Sequence, residues 1–320
     1  MKTIFLTNPY EGKMRDLVYG FLPEGFHLIL PEGDSQEECM EKIRDADYLF
    51  AGHSVRIDAP LLDAGKNIKM ITRFGVGTDT IDQKALKERG IPLYMNRGVN
   101  ARSVAELTVL LMLAMLRELP RMDAEVHAHK WNVEGMGRRE LCGQTVGLIG
   151  FGHIGSLVAE LLRPFGVKIL FWQPEAVTDE TKARYNVSYR ELDDLLKESD
   201  IVSLHCMMNE NNRGMMNREL FSKMKDGARF INTSRGALIN EKDFAEAILS
   251  GKLSSAALDV FETEPLPDDS PLRNLPNVIL SPHIGGVTFE SFQRIMSQSF
   301  RNIQKFDAGD LDAIADRRFL

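Results

Sequence analysis

Residues 145–176 read TVGLIGFGHIGSLVAELLRPFGVKILFWQPEA. An apolar run, TVGLI, leads into three glycines spaced G-x-G-x-x-G (Gly150, Gly152 and Gly155). An amphipathic helical pattern follows, and then a second apolar run, VKILFW. Strand, glycine turn, helix and strand is the context in which that otherwise weak motif becomes a dinucleotide fingerprint: the turn approaches a pyrophosphate closely, and the helix start offers free N–H groups to it. His153 and Ile154 fall inside the cradle. The second strand should end on an acid that hydrogen-bonds the adenosine ribose, yet it ends on Gln173. Glutamine can hydrogen-bond but has no charge to repel a 2′-phosphate, and Pro174, Glu175 and Ala176 supply no cation to attract one. NAD(H) is therefore the expected cofactor, with NADP(H) also used.

Outward from this stretch, the same beat continues in both directions. Short apolar runs KTIFLTN, FHLIL, YLFAG, MITRFG and PLYMN precede it, and IVSLHC, ARFINTS, AALDV and NVILSP follow, with polar helical stretches between. Such alternation predicts an α/β chain of two doubly wound, mostly parallel sheets. A long apolar helix over about 102–119 leads from one half to the other, and FESFQRIMSQSFRNIQKF is amphipathic and expected to pack back on the first half. Ser188, three residues before Glu191, reads as a capping box, and Asn240 opens a helix that Gly251 closes.

Composition narrows the function classes. With 320 residues, 43% of them apolar, and a net charge of -7, the chain can fill two cores and lacks the clustered basic surface that nucleic acid or an anionic membrane would require. Cys39, Cys142 and Cys206 are odd in number and far apart, which points to a reducing, cytoplasmic setting. The start, MKTIFLTNPY, does not read as a signal peptide, and the oily segment VAELTVLLMLAML is shorter than the roughly 20 residues of a bilayer span. No metal-ligand spacing stands out.

In open parallel sheets, ligands bind beyond the carboxyl ends of the strands. That rule selects GHSV, GVGTD and RGVNARS in the first half. In the second it selects the glycine turn, Ser234-Arg235-Gly236, Asp259, and His283 within SPHIGG. Singly, Arg235, Glu264 and His283 each have an ordinary structural explanation. Together, at the ends of successive strands, they make a cation, a carboxylate and a proton donor around one cleft.

The stretches RFGVGTDTID, NARSVAE, TVGLIGFGHIG, INTSRGALIN, ALDVFETEP and SPHIGG resemble, in order and spacing, the motifs of the D-isomer-specific 2-hydroxyacid dehydrogenases. The resemblance covers nearly the whole chain. It implies a Rossmann cofactor domain, residues 100–288, inserted in a flavodoxin-like substrate-binding domain made of residues 1–99 and 289–320. It also implies a homodimer held through the cofactor domain, and hydride transfer between NAD(P)H and a small 2-oxo acid. His283 would protonate the carbonyl oxygen, with Glu264 favouring the imidazolium, and Arg235 would hold and polarise the 2-oxo acid. His53, Ser54 and the backbone of Val76 and Gly77 would complete the substrate site. Gly150, Gly152, His153, Ile154, Gly155, Gln173, His205, Thr233, Asp259, His283 and Gly285 would hold the cofactor, Asp259 orienting the nicotinamide carboxamide. Asn100 and Ser103 fall in the family's hinge region.

Two departures bear on substrate and cofactor. His53-Ser54 stands where relatives commonly carry Arg-Ser, so a substrate-contacting cation is replaced. After IVSLH, the sequence CMMN replaces the usual Pro and Thr beside His205. The sequence stops at Leu320, so feedback control through a serine-responsive domain like that of the long phosphoglycerate dehydrogenases is not expected. A dinucleotide-sensing corepressor-like protein and a formate- or phosphite-type dehydrogenase remain as alternatives on the same fold.

Overall fold

The computed structural model describes residues 1–52, 55–133 and 137–320. Its first five strands are β1 (Lys2–Leu6), β2 (Phe26–Ile29), β3 (Tyr48–Ala51), β4 (Met70–Arg73) and β5 (Leu93–Met95), all parallel, in the order β2-β1-β3-β4-β5. The next seven are β6 (Thr145–Ile149), β7 (Lys168–Trp172), β8 (Val187–Tyr189), β9 (Ile201–Leu204), β10 (Ala228–Asn232), β11 (Leu253–Leu258) and β12 (Val278–Leu280). They form a second parallel sheet in the order β12-β11-β10-β9-β6-β7-β8. Each order reverses once, between β1 and β3 and between β6 and β9. At such switch points the connections diverge to opposite faces and leave a crevice at the carboxyl edge.

The chain divides into two compact units, Met1–Asn100 with Phe289–Leu320, and Ala101–Thr288. In both, the strands between the sheet edges are largely buried on their two faces, which is why they read as apolar runs rather than alternating ones. On β7, Leu170 joins one core while Ile169 and Phe171 join the other; on β3, Leu49 faces one way and Tyr48 and Phe50 the other. The helix Phe289–Asp307 supplies Ile295, Met296, Phe300 and Ile303 to the Tyr48 and Phe50 face, so the carboxyl-terminal segment completes the first unit. A buried polar cluster fixes it there: Asn96 Nδ2 donates to Ser299 Oγ at 2.7 Å, and Asn302 Nδ2 reaches Thr72 Oγ1 and Asn96 Oδ1, both at 3.3 Å.

Three local expectations change. The long helix spans Ala101–Leu116 and stops short of 119. Glu118 is left-handed, with φ 53°, and a second helix, Leu119–His127, begins with Pro120, whose ring cannot continue a preceding helix. The capping box at Ser188 does not form: Ser188 belongs to β8, and the helix Leu192–Glu198 starts after Glu191 with no side-chain cap. β8 itself escapes a search for apolar runs because it is a three-residue edge strand of which only Val187 is buried. Asn240 does cap the helix Glu241–Leu249, its side chain accepting from Asp243 N–H at 3.1 Å, and Gly251 follows with φ +76°.

Candidate active site

The glycine turn lies at the β6 and β9 switch point. Gly150 has φ +101°, and a Cβ there would sit 2.6 Å from the His205 carbonyl carbon and Cys206 N, so the turn presses against the chain leaving β9. A Cβ on Gly155 would fall 2.3 Å from Gly150 O, which lets the helix His153–Leu162 start directly against the turn. At Gly152, by contrast, nothing lies within 4 Å. The helix has no side-chain cap, so its first-turn N–H groups are left for an external acceptor. Close packing at the first and third glycines, open space at the second and an uncapped helix start fit a dinucleotide pyrophosphate.

Gln173 ends its strand beside this turn. Its Oε1 accepts from Phe151 N–H at 3.0 Å, and its Nε2 donates to Glu175 O at 3.1 Å. His205 forms the opposite wall. Burial pushes its imidazole down to about 3, so it is neutral at working pH. Its Nε2 contacts Ser203 Oγ at 2.9 Å, while Nδ1 is buried without a hydrogen-bond partner.

Three further loops, after β10, β11 and β12, carry Arg235, Glu264 and His283. Asn232 shapes the first: its Oδ1 accepts from Ser234 N–H at 2.9 Å and its Nδ2 donates to Arg235 O at 2.8 Å, an Asx-type brace that presents the half-buried Arg235. Gly236 then passes so close to the second loop that a Cβ would lie 1.9 Å from the Phe261 carbonyl carbon. In that second loop, Glu264 Oε1 accepts from Phe261 N–H at 2.9 Å, and Oε2 lies 2.6 Å from His283 Nδ1. Burial would raise the Glu264 carboxyl, but the His283 and Phe261 hydrogen bonds and the charge of Arg235 outweigh it and hold the group below its ordinary value. His283 itself has φ +54°, an uncommon conformation for a residue with a side chain.

The third loop is held by Asp259, which is 1% exposed. Oδ1 accepts from Ser281 Oγ at 2.6 Å and Ile284 N–H at 3.0 Å, and Oδ2 from Gly285 N–H at 2.8 Å, so one buried carboxylate brackets His283 from both sides. With three of about four acceptor positions taken, little of Asp259 is left for another partner.

The carboxyl edge of the five-stranded sheet is built differently. Arg73, 2% exposed, donates from Nε to Gly77 O at 3.1 Å and from Nη1 to Gly52 O, tying the loops after β3 and β4 together. Gly52 N–H donates to Thr7 Oγ1 at 2.8 Å, which adds the loop after β1. The backbone N–H groups of Val76 and Gly77 have no hydrogen-bond partner among the described residues. Two adjacent free amides in a fixed turn make an anion-binding concavity.

Residues 109–285 match the family described as D-isomer specific 2-hydroxyacid dehydrogenase, NAD binding domain. The hydroxypyruvate reductase of Thermotoga maritima is 41% identical over 269 residues, 83% of this chain and 87% of that protein. The chain belongs to the D-isomer-specific 2-hydroxyacid dehydrogenases. The glyoxylate reductase of Thermofilum pendens is 39% identical, over 84% of this chain and 80% of that protein. Among solved structures, the D-lactate dehydrogenase of Escherichia coli superposes with a TM-score of 0.85 at 26% identity, covering 97% of this chain and 98% of that one. As a member of this family, the protein is an NAD-dependent oxidoreductase that transfers a hydride between the cofactor and a 2-oxo or 2-hydroxy acid.

Of the side chains singled out in the sequence, the structure brings Glu264 and His283 into direct contact and sets Arg235 near enough for its charge to act on Glu264. His53 and Ser54 lie outside the described residues. The Thr233 hydroxyl is already engaged, 3.1 Å from Thr108 Oγ1 on the helix Ala101–Leu116. Ser103 Oγ lies 2.9 Å from Thr288 Oγ1, next to the points where the chain passes from one unit to the other, and Asn100 is the last residue before the first of them. Sequence reasoning missed Asn232, Ser281 and Arg73. An Asn closing a strand two residues before a polar loop residue was an available signal for the first. Arg73 carries none, because an arginine at the end of an apolar strand reads as its solvated end.

Proposed function

We propose that this dehydrogenase reduces a small 2-oxo acid of the glyoxylate or hydroxypyruvate type, the class for which two of its relatives are named. The observation that carries the residue assignment is the 2.6 Å contact between His283 Nδ1 and Glu264 Oε2, which leaves His283 Nε2 without a partner among the described residues. When bound, the nicotinamide supplies or accepts the hydride at the substrate carbon. In the reducing direction, Nε2 gives a proton to the carbonyl oxygen as it becomes a hydroxyl. Glu264, held ionised, supports the positive imidazolium from Nδ1. Arg235 binds the carboxylate and polarises the carbonyl through its planar donor fork, and the free amides of Val76 and Gly77 take a second share of the carboxylate charge. Asp259 acts chiefly by holding the His283 loop in its strained geometry.

Gly150, Gly152, His153, Ile154 and Gly155 would hold the pyrophosphate, and Gln173 the adenosine ribose. Because Gln173 is neutral and points a carbonyl oxygen at Phe151 N–H, it excludes a 2′-phosphate only weakly, so NADPH serves alongside NADH. The protein works as a homodimer through the Ala101–Thr288 unit. The helix Leu119–His127 has no buried residue, and Leu110, Leu119, Val126 and Trp131 are 54–83% exposed, apolar surface of the kind a second copy would cover. Three free cysteines, one of them exposed, suit the reducing cytoplasm.

The test is a spectrophotometric screen of glyoxylate, hydroxypyruvate, pyruvate and 2-oxoglutarate with NADH and with NADPH. Turnover of one of the first two with both cofactors is expected. No turnover of either acid would overturn the substrate assignment, and strict NADH dependence would overturn the reading of Gln173. Light scattering in solution checks the dimer.

A further inference from the structure

The amino-terminal edge of the seven-stranded sheet carries a second concavity, of about 230 Å³. Gln144 lies immediately before β6, Asp200 immediately before β9, and Lys225, Asp226 and Arg229 at the start of β10, with Arg139 alongside. These are the beginnings of the strands whose far ends form the cofactor cradle. A five-residue strand places the two edges about 16 Å apart, so this is not an extension of the active site.

The lining carries three cations, Arg139, Lys225 and Arg229, and two carboxylates, Asp200 and Asp226. Asp200 is held twice: Oδ1 pairs with Lys225 Nζ at 2.7 Å and Oδ2 accepts from Thr145 N–H at 2.8 Å. Asp226 pairs with Lys252 Nζ at 2.7 Å. Arg229 is half-buried, and its Nε is enclosed without a hydrogen-bond partner. Burial works against its charge first and the neighbouring Arg139 second, offset only in part by Asp200 and Glu118. An enclosed donor left unsatisfied keeps its desolvation cost uncompensated, more so when it is charged, so such a group is a poor purely structural element. A guanidinium beside a second guanidinium and a lysine, opening into a cavity, is the arrangement that recognises a compact, multiply charged oxyanion.

We propose that this concavity is a binding site for a small phosphate-type anion, inorganic phosphate or a phosphate monoester, held by Arg229 with Arg139 and Lys225. The volume equals the share of roughly eight water molecules and falls below that of pockets for drug-sized ligands, which fits an anion of this size and not a nucleotide.

The experiment is calorimetric titration of the enzyme with inorganic phosphate and, separately, glycerol 3-phosphate. Saturating NADH is kept present to occupy the pyrophosphate cradle, and ionic strength is matched with chloride. Saturable binding of at least one ligand is expected, and the tighter one identifies the source. Arg229→Gln should weaken it at least tenfold and Arg139→Gln several-fold, with NADH affinity unchanged in both. The proposal is overturned if the wild type shows no saturable binding, or if Arg229→Gln binds as tightly as the wild type. Should Arg229→Gln fail to fold, the exposed Arg139→Gln carries the test, and unchanged affinity in it overturns the proposal.

Discussion

Two carboxyl edges, one on each sheet, do different work in this enzyme. On the seven-stranded sheet the groups proposed to react are side chains: Arg235, Glu264 and His283 sit on three successive loops, each braced by a buried polar residue or a backbone contact. On the five-stranded sheet the charged residue, Arg73, is buried as scaffolding, and what the edge offers outward is backbone N–H. A side chain brings a proton or a charge to a reaction, and its pKa can be set by neighbours. A backbone amide brings a fixed dipole that does not titrate in this range and that only a proline substitution removes. The first edge should therefore decide how fast bonds rearrange, and the second how well the substrate carboxylate is placed.

That contrast can be broken at its strongest point. His283→Ala should lower kcat by roughly 10²-fold or more, the usual worth of a positioned acid-base group, while NADH affinity measured by fluorescence titration stays within about twofold. A loss confined to KM would move proton transfer away from this edge. Arg235→Lys keeps the charge and loses the fork; its kcat/KM should fall roughly tenfold to a hundredfold, the range for a lost charge-assisted hydrogen bond. Near-normal steady-state kinetics there would leave Arg235 a solvated loop residue.

The backbone edge is probed through its scaffold. Arg73→Met removes the donors that hold Gly52 O and Gly77 O, so KM for the 2-oxo acid should rise about tenfold, with kcat changing far less. An equal fall in kcat would show that the two edges do not divide the labour in this way. On cofactor choice, Gln173→Asp should shift the NADH to NADPH ratio of kcat/KM about tenfold toward NADH, worth about 1.4 kcal/mol. An unmoved ratio would assign discrimination to another residue.

The smallest effect is expected at the far, amino end of the five-stranded sheet. Asp307 accepts from Lys2 Nζ and Tyr48 OH. Burial would raise its carboxyl, but these hydrogen bonds and the charges of Lys2 and Lys69 outweigh burial and hold it below its ordinary value. The stabilisation is thus complete above the unfolded-state pKa near 3.9 and disappears as pH falls through the lower folded value. Asp307→Asn should lower Tm at pH 7 by about 2–4 °C, equivalent to about 1 kcal/mol, with the difference from wild type shrinking as pH falls below the unfolded-state value and kcat unaffected. A difference that persisted in acid would mean that the effect is one of packing.

How far the sequence speaks for itself follows from the kind of signal each feature leaves. Eleven of the twelve strands announce themselves as short apolar runs, most clearly where both faces are buried; β8, an exposed edge of three residues, leaves no such run. The long helix was legible, but its end was not, since the left-handed turn at Glu118 has no glycine to mark it. At the site, strand ends and glycine spacing located Arg235, Glu264, His283 and the cradle. The supporting layer was out of reach, because what makes Asp259 a brace is its contact with Ser281 and Gly285, more than twenty residues away in the chain. Gln173 illustrates the same limit: its neutrality is plain from the sequence, but its hydrogen bond to Phe151 across the turn is not.

The contact at Gly236 has a practical corollary for redesign. Backbone presses on backbone there, so no side chain can be introduced at 236 without displacing the stretch that leads to Glu264. The anion clamp and the acid partner of His283 cannot be re-spaced one at a time. A variant library aimed at longer substrates would therefore gain nothing from lengthening the Arg235 loop alone, and should leave these loops intact while varying the turn that carries Val76.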